Sequence, residues 1–207
     1  MIPTRKLYLV RHAEVEPAYQ RVFGGRVDMD LSDTGREQAR ILARYVSALR
    51  IPQVFASPMK RVQLTLEPWK SEHPQARVLT VPDLMEVDFG AWTGLNFEQV
   101  RQQFGARAFD WLDYLQDNNI PQAEPYPDFS SRMERCLKSL LHDSNEPVAA
   151  VFCHGGVIRM LLALLLDLPL RKMRGFDIEY ASLTEVDYAP GRVEVQRLNF
   201  VPWRDLL

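Results

Sequence analysis

Two histidines stand at matched places in the sequence. The apolar run at 7–10, "LYLV", leads without a turn residue into Arg11-His12, and the apolar run at 148–153, "VAAVFC", leads into His154-Gly155-Gly156. Continuous apolar runs of this kind predict strands covered on both faces. In open α/β sheets ligands sit beyond the carboxyl ends of the strands. Two such strands lying side by side would bring two imidazoles to one crevice. Gly155-Gly156, followed by a helix from Val157, leave backbone N–H groups aimed at that crevice, which suits an anion. Ser57-Pro58 reads as N-cap and first residue of another helix, which places Arg61 about one turn inside its N-terminus.

This set of residues leaves two chemistries open. His12, His154 and a carboxylate such as Glu86 have the donor types of a metal site. A guanidinium beside a divalent cation costs energy, whereas beside phosphate it binds bidentately. Arg11, next to His12, therefore weakens the metal reading, and Arg61 strengthens the anion reading. His73 and His142 occur in polar, helix-terminal contexts and read as surface residues.

The elements that must position these residues alternate. After the first strand, "LSDTGREQARILARYVSALR" carries Ala39, Leu42, Ala43, Val46 and Leu49 at helical spacing, with Thr34 and Glu37 as a candidate capping box. "QVFASP" is a short strand, and the helix that follows is expected to stop near Pro68. "ARVLTV" is a third strand. "NFEQVRQQF" and "FDWLDYLQDN" are helical, "NIPQAEPYPDF" is a proline-rich break, and "SSRMERCLKSLL" is helical again. The most apolar stretch, "VIRMLLALLLDLPL", is interrupted by Arg159 and reads as a core helix. "EYASLTEVDY" and "RVEVQRLNFV" flank Pro190-Gly191 as a terminal hairpin. The pattern predicts an α/β fold, a three-layer sandwich with a largely parallel central sheet flanked by helices. A small helical cap at about 92–135 lies within a single domain spanning 1–207.

Composition narrows the class. A chain of 207 residues, 46% of them hydrophobic, can bury a full core. The formal net charge of −2, without a block of like charge, argues against nucleic acid or an anionic membrane surface as the partner. Cys136 and Cys153 match no zinc or redox spacing and read as reduced thiols of a cytoplasmic protein. The N-terminal apolar run is too short for a signal peptide, and no stretch approaches a membrane span.

Five blocks, "LYLVRHAE", "LSDTGREQA", "FASPMKRVQLT", "LMEVDFGAWTG" and "VFCHGGVIRMLL", resemble the successive blocks of the histidine phosphatase superfamily, the phosphoglycerate-mutase-like fold. The resemblance covers almost the whole chain in order, and is strongest to the small bacterial phosphatases, including the α-ribazole phosphatase and broad-specificity branches. It implies a metal-independent phosphomonoester hydrolase with no cofactor. His12 matches the histidine that attacks phosphorus and becomes phosphohistidine. Arg11, Arg61 and His154, the last usually cationic, match the groups that bind the phosphoryl oxygens, with Gly155 beside them. Glu86 matches the acid that protonates the leaving oxygen. That role asks for a proton held near neutrality, with Phe89 and Trp92 as desolvating neighbours. His12 must be neutral to attack, and nearby arginines disfavour its charged form.

The departures from the family pattern fall on the substrate side. Ala13 stands where glycine is usual, Val15 where threonine is common, and Phe23 near a common glutamine. The usual asparagine is missing around Pro17-Ala18-Tyr19, and the usual Gly-Glu pair is unclear in "AEPYPDFSSR". Arg21, Phe23, Gly24 and Trp92 are the substrate-binding candidates. Trp111 and Tyr114 are read as packing within the helical segment. The implied partner is a small phosphorylated metabolite, α-ribazole phosphate among the candidates, bound by a monomer or homodimer. A phosphoglycerate-type mutase and a catalytically silent phospho-ligand-binding regulator are the alternatives.

Overall fold

β1 (Arg5–Arg11) and β4 (Val148–Cys153) lie side by side and parallel at the middle of the sheet. This arrangement comes from a computed structural model, which describes residues 4–143 and 146–206. β2 (Gln53–Ala56) pairs parallel with β4, and β3 (Arg77–Thr80) extends that edge. On the other side, β5 (Leu183–Ala189) and β6 (Arg192–Phe200) form the expected antiparallel hairpin. The strand order is β3-β2-β4-β1-β5-β6. The largely parallel α/β sheet inferred from the alternation of elements is therefore observed.

Alternation along the central strands explains the layers. Leu7, Leu9, Ala149, Val151 and Cys153 face one apolar cluster, while Tyr8, Val10, Ala150 and Phe152 face another. A strand that sends side chains alternately to two buried faces must be apolar throughout. One face is covered by α1 (Asp33–Ala48) and α2 (Lys60–Glu72). Helices α3 (Phe97–Phe104), α4 (Trp111–Gln116), α5 (Tyr126–Lys138) and α6 (Gly155–Leu165) contribute to the other. A short helix, α7 (Pro202–Asp205), follows β6.

Four local expectations are corrected. The N-cap of α1 is Ser32, whose Oγ accepts from Gly35 N at 2.9 Å, rather than Thr34 in a box with Glu37. The N-cap of α2 is Met59, two residues after Ser57, whose Oγ accepts from Met59 N at 3.4 Å and lies 2.8 Å from His154 Nε2. That helix also runs through Pro68 to Glu72. The proline removes one backbone donor, yet Leu66 and buried Trp69 on either side keep the last turns packed. Finally, α5 begins at Tyr126, inside the proline-rich break, with a proline tolerated in its first turn.

The strand ends are in register. Arg11 pairs with Cys153 and Ala56 with Phe152, so β1, β4 and β2 finish at one level. His12, His154 and Ser57 are the next residues of each, and they meet there. Backbone bonds His12 N to Cys153 O, 3.0 Å, and Ser57 N to Phe152 O, 2.9 Å, carry the pairing one step beyond the strands.

Candidate active site

A cavity of about 260 Å³ opens beyond these strand ends. His12, Arg11, Arg61, Glu86, Gly155, Arg21, Phe23 and Gly24 all line it. Trp92 does not. Its indole is fully buried among Phe23, Phe104 and Tyr114, so its expected contact with substrate is corrected to core packing. Trp111, read from sequence as packing, lines the cavity instead, with Phe97 and Phe89.

His12 sits 6% exposed in the cavity wall. Its Nδ1 lies 2.8 Å from Ala13 O, which can only accept, so Nδ1 carries the proton and donates it. Burial, then the Arg61 and Arg11 charges, push its pKa well below the usual histidine value. The ring is neutral, and Nε2 keeps its lone pair. The loop carrying Ala13 is fixed from two helices. Ala13 N donates to Thr65 Oγ1 of α2 at 2.9 Å, and Glu14 N donates to Gln38 Oε1 of α1 at 2.9 Å. Gly35 is required by the close approach of α1: a Cβ there would stand 2.0 Å from Glu14 O.

The arginines are held by neutral acceptors. Arg61, the second residue of α2, donates through Nη1 to Val27 O at 2.9 Å and through Nη2 to Gly25 O at 2.8 Å. Arg11 Nη1 donates to Ile178 O at 2.6 Å. Arg159 donates to Gly155 O and Phe176 O at 3.2 and 3.1 Å. Burial pushes Arg61 and Arg159 down to about 10, and both stay protonated at neutral pH. Backbone carbonyls orient these guanidinium groups without cancelling their charge, which favours an anion in the cavity.

His154 differs from the expectation of a cationic group. It is fully buried, 5.4 Å ring to ring from His12. Arg61 Nε donates to its Nδ1 at 3.2 Å, so Nδ1 is unprotonated; Nε2 then carries the proton, 2.8 Å from Ser57 Oγ. Burial and the Arg61 charge push its pKa well below the ordinary value. The imidazole is neutral here, with both nitrogens committed to protein groups. It therefore has no lone pair for a metal, and no group of three or more His, Cys, Asp or Glu that could hold one occurs among the described residues.

Glu86 faces the same cavity. Val87 N donates to its Oε1 at 3.0 Å and Gly156 N to its Oε2 at 3.1 Å. A Cβ at Gly156 would stand 2.5 Å from Glu86 Oε1, so a larger residue there would push the carboxylate out of this position. The loop carrying Glu86 is held from behind by Arg132 of α5, which donates to Asp83 O and Met85 O at 2.5 and 2.7 Å. Arg132 in turn makes a two-pronged ion pair with Glu124 at 2.6 and 2.8 Å. Glu124 belongs to the "AEPYPDF" segment, and this pair is its structural role. Of the neighbouring carboxylates, Glu14 accepts from Ser32 Oγ and Asp88 from Gly90 N, and neither lines this cavity.

Sequence reasoning missed Ser57 as a partner of His154, and missed Arg159 and Tyr180 in the cavity wall. His73 is half-buried, stacked on Trp69, rather than at the open surface. The side chain of His142 lies outside the described residues. Cys136 and Cys153 are unpaired and buried. Among the described residues no helix is long and apolar enough to cross a membrane.

The model of the histidine phosphatase superfamily (branch 1) matches residues 7–201. The chain belongs to the histidine phosphatase superfamily. Within this superfamily it is similar to phosphoserine phosphatase 1 of Hydrogenobacter thermophilus, 28% identical over 195 residues, covering 94% of this chain and 92% of that one. It is also 26% identical to the adenosylcobalamin/α-ribazole phosphatase of Escherichia coli K12, covering 88% and 89%. The crystal structure of the α-ribazole phosphatase from Shigella flexneri superimposes with a TM-score of 0.81 at 25% identity, covering 94% of this chain and 96% of that one. The fold and the enzyme class, a phosphatase of this superfamily, are thereby established.

Proposed function

We propose that the protein hydrolyses phosphomonoesters of small metabolites through a phosphohistidine on His12, without a metal ion or cofactor. The observation that carries this reading is the His12 ring. Its proton is held on Nδ1 by Ala13 O, so the Nε2 lone pair is available at a cavity walled by guanidinium groups. Phosphoryl transfer asks mainly for positioning and charge neutralisation, and Arg11 and Arg61 supply both.

In the first step Nε2 attacks phosphorus, the P–N bond forms, and the P–O ester bond breaks. The leaving oxygen takes the proton of the Glu86 carboxyl group. In the second step Glu86, now a carboxylate, accepts a proton from water as its oxygen attacks phosphorus. The P–N bond breaks, releasing phosphate and neutral His12. Helices α3 and α4 bring Phe97 and Trp111 over the cavity, which supports a capping role for the segment at about 92–135. The aromatic wall suits a leaving group with an apolar face, as in α-ribazole phosphate; phosphoserine, named for a relative, is the polar ester to test against it.

The test turns on leaving-group chemistry. An alkoxide must be protonated as it departs, whereas nitrophenolate leaves unaided. General acid catalysis contributes roughly 10²–10⁴-fold. Glu86→Gln is expected to slow alkyl phosphates by that order and p-nitrophenyl phosphate far less. Equal losses on both substrates would remove Glu86 from the acid role.

A further inference from the structure

We infer that Tyr180 is a positioning residue for Arg11, an assignment that rests on the phosphatase reading and adds to its site a residue outside every recognised block. The loop before β5 makes four contacts with Arg11, at the end of β1, and with His12 beside it. The Tyr180 ring lies over the Arg11 guanidinium, 4.1 Å from Cζ to ring centroid. Two residues earlier, Ile178 O accepts from Arg11 Nη1. Around them, Ala181 N donates to His12 O and Arg11 N donates to Ser182 O, both at 3.0 Å.

The backbone supplies an independent sign. Ala181 adopts a left-handed conformation, φ 52°, which a residue with a Cβ rarely takes. The turn persists because the Ala181 N–H is tied to His12 and its methyl group is fully buried. Its result is to aim Tyr180 back across Arg11, with the ring also 5.5 Å from that of His12.

The consequence is a choice of edge. With Nη1 committed to Ile178 and one guanidinium face covered by the ring, the side formed by Nε and Nη2 is left for the phosphoryl group. Arg11 Nε is buried and has no protein acceptor. A long, flexible side chain is thus held as a planar fork before substrate arrives. A cation over an aromatic face gains most where water is excluded.

A double-mutant cycle tests this. Tyr180→Leu should lower kcat/KM for p-nitrophenyl phosphate about tenfold, and Tyr180→Phe should recover most of the loss. In an Arg11→Gln background, Tyr180→Leu should change the rate less than about twofold, because the group it positions is gone. An undiminished loss in that background, or no loss in either, overturns the assignment. Should Tyr180→Leu fail to fold, Tyr180→Met replaces it in the same cycle. Calorimetric titration with inorganic phosphate repeats the cycle without turnover. Coupled phosphate binding in a protein that hydrolyses no ester would sink the phosphatase reading and leave the Tyr180 assignment standing.

Discussion

His12 and His154 come from the same local design: an apolar strand, a histidine at its end, and a neighbouring strand in register. Their states are nonetheless opposed in use. His12 has one nitrogen tied to its own loop and one left for the cavity. His154 has both nitrogens tied, one to Arg61 and one to Ser57. Both rings are neutral, pushed there by burial and by arginine charge. The difference lies in their partners. A backbone carbonyl leaves His12 a lone pair, whereas an arginine and a serine use up His154 and make it a support for Arg61.

The largest expected effect separates the two rings. His12→Ala should reduce turnover by on the order of a thousandfold or more, the scale on which a nucleophile acts. His154→Gln should cost less, about ten- to a hundredfold, through a displaced Arg61 and buried partners left unpaired. Steady-state rates on p-nitrophenyl phosphate compare them, and equal losses would erase the distinction. Smaller again is Ser57→Ala, which leaves the Arg61 contact but frees the His154 ring to turn. A loss of about tenfold or less is expected, and it should fall on kcat/KM together with weaker inhibition by inorganic phosphate.

The smallest effect is in stability against pH. Both histidines have folded-state values lowered from 6.5. Below about pH 6.5 the unfolded chain therefore binds protons that the folded one refuses. Stability is fully present above that pH and falls as pH is lowered through it, by at most about 1.4 kcal/mol per pH unit per histidine. Thermal melts between pH 8 and 5 should show the decline, and His154→Gln should make it shallower. An unchanged slope in that variant would show that His154 accepts a proton in the folded protein.

Much of this site was legible in the sequence because its supports are local. Apolar runs mark the central strands, the residues after them are the strand ends, and Arg61 lies just inside a helix. What was not legible depends on contacts across the chain. Ser57 reads as a helix cap, and only the pairing of β2 with β4 brings its hydroxyl within 2.8 Å of His154 Nε2, 97 residues on. Tyr180 reaches Arg11 only because β5 pairs antiparallel with β1, a choice no local pattern encodes. Trp92 and Trp111 are equally aromatic in sequence. Both pack against Phe23, yet Trp92 is fully buried whereas Trp111, which also meets Phe89, faces the cavity.

His12, and not His154, is expected to carry the phosphoryl group. Rapid quench with phosphorus-labelled p-nitrophenyl phosphate checks this. The expected result is an acid-labile, base-stable phosphoprotein whose label maps to His12, persists in His154→Gln and disappears in His12→Ala. Label on His154, or normal turnover by His12→Ala, would contradict it.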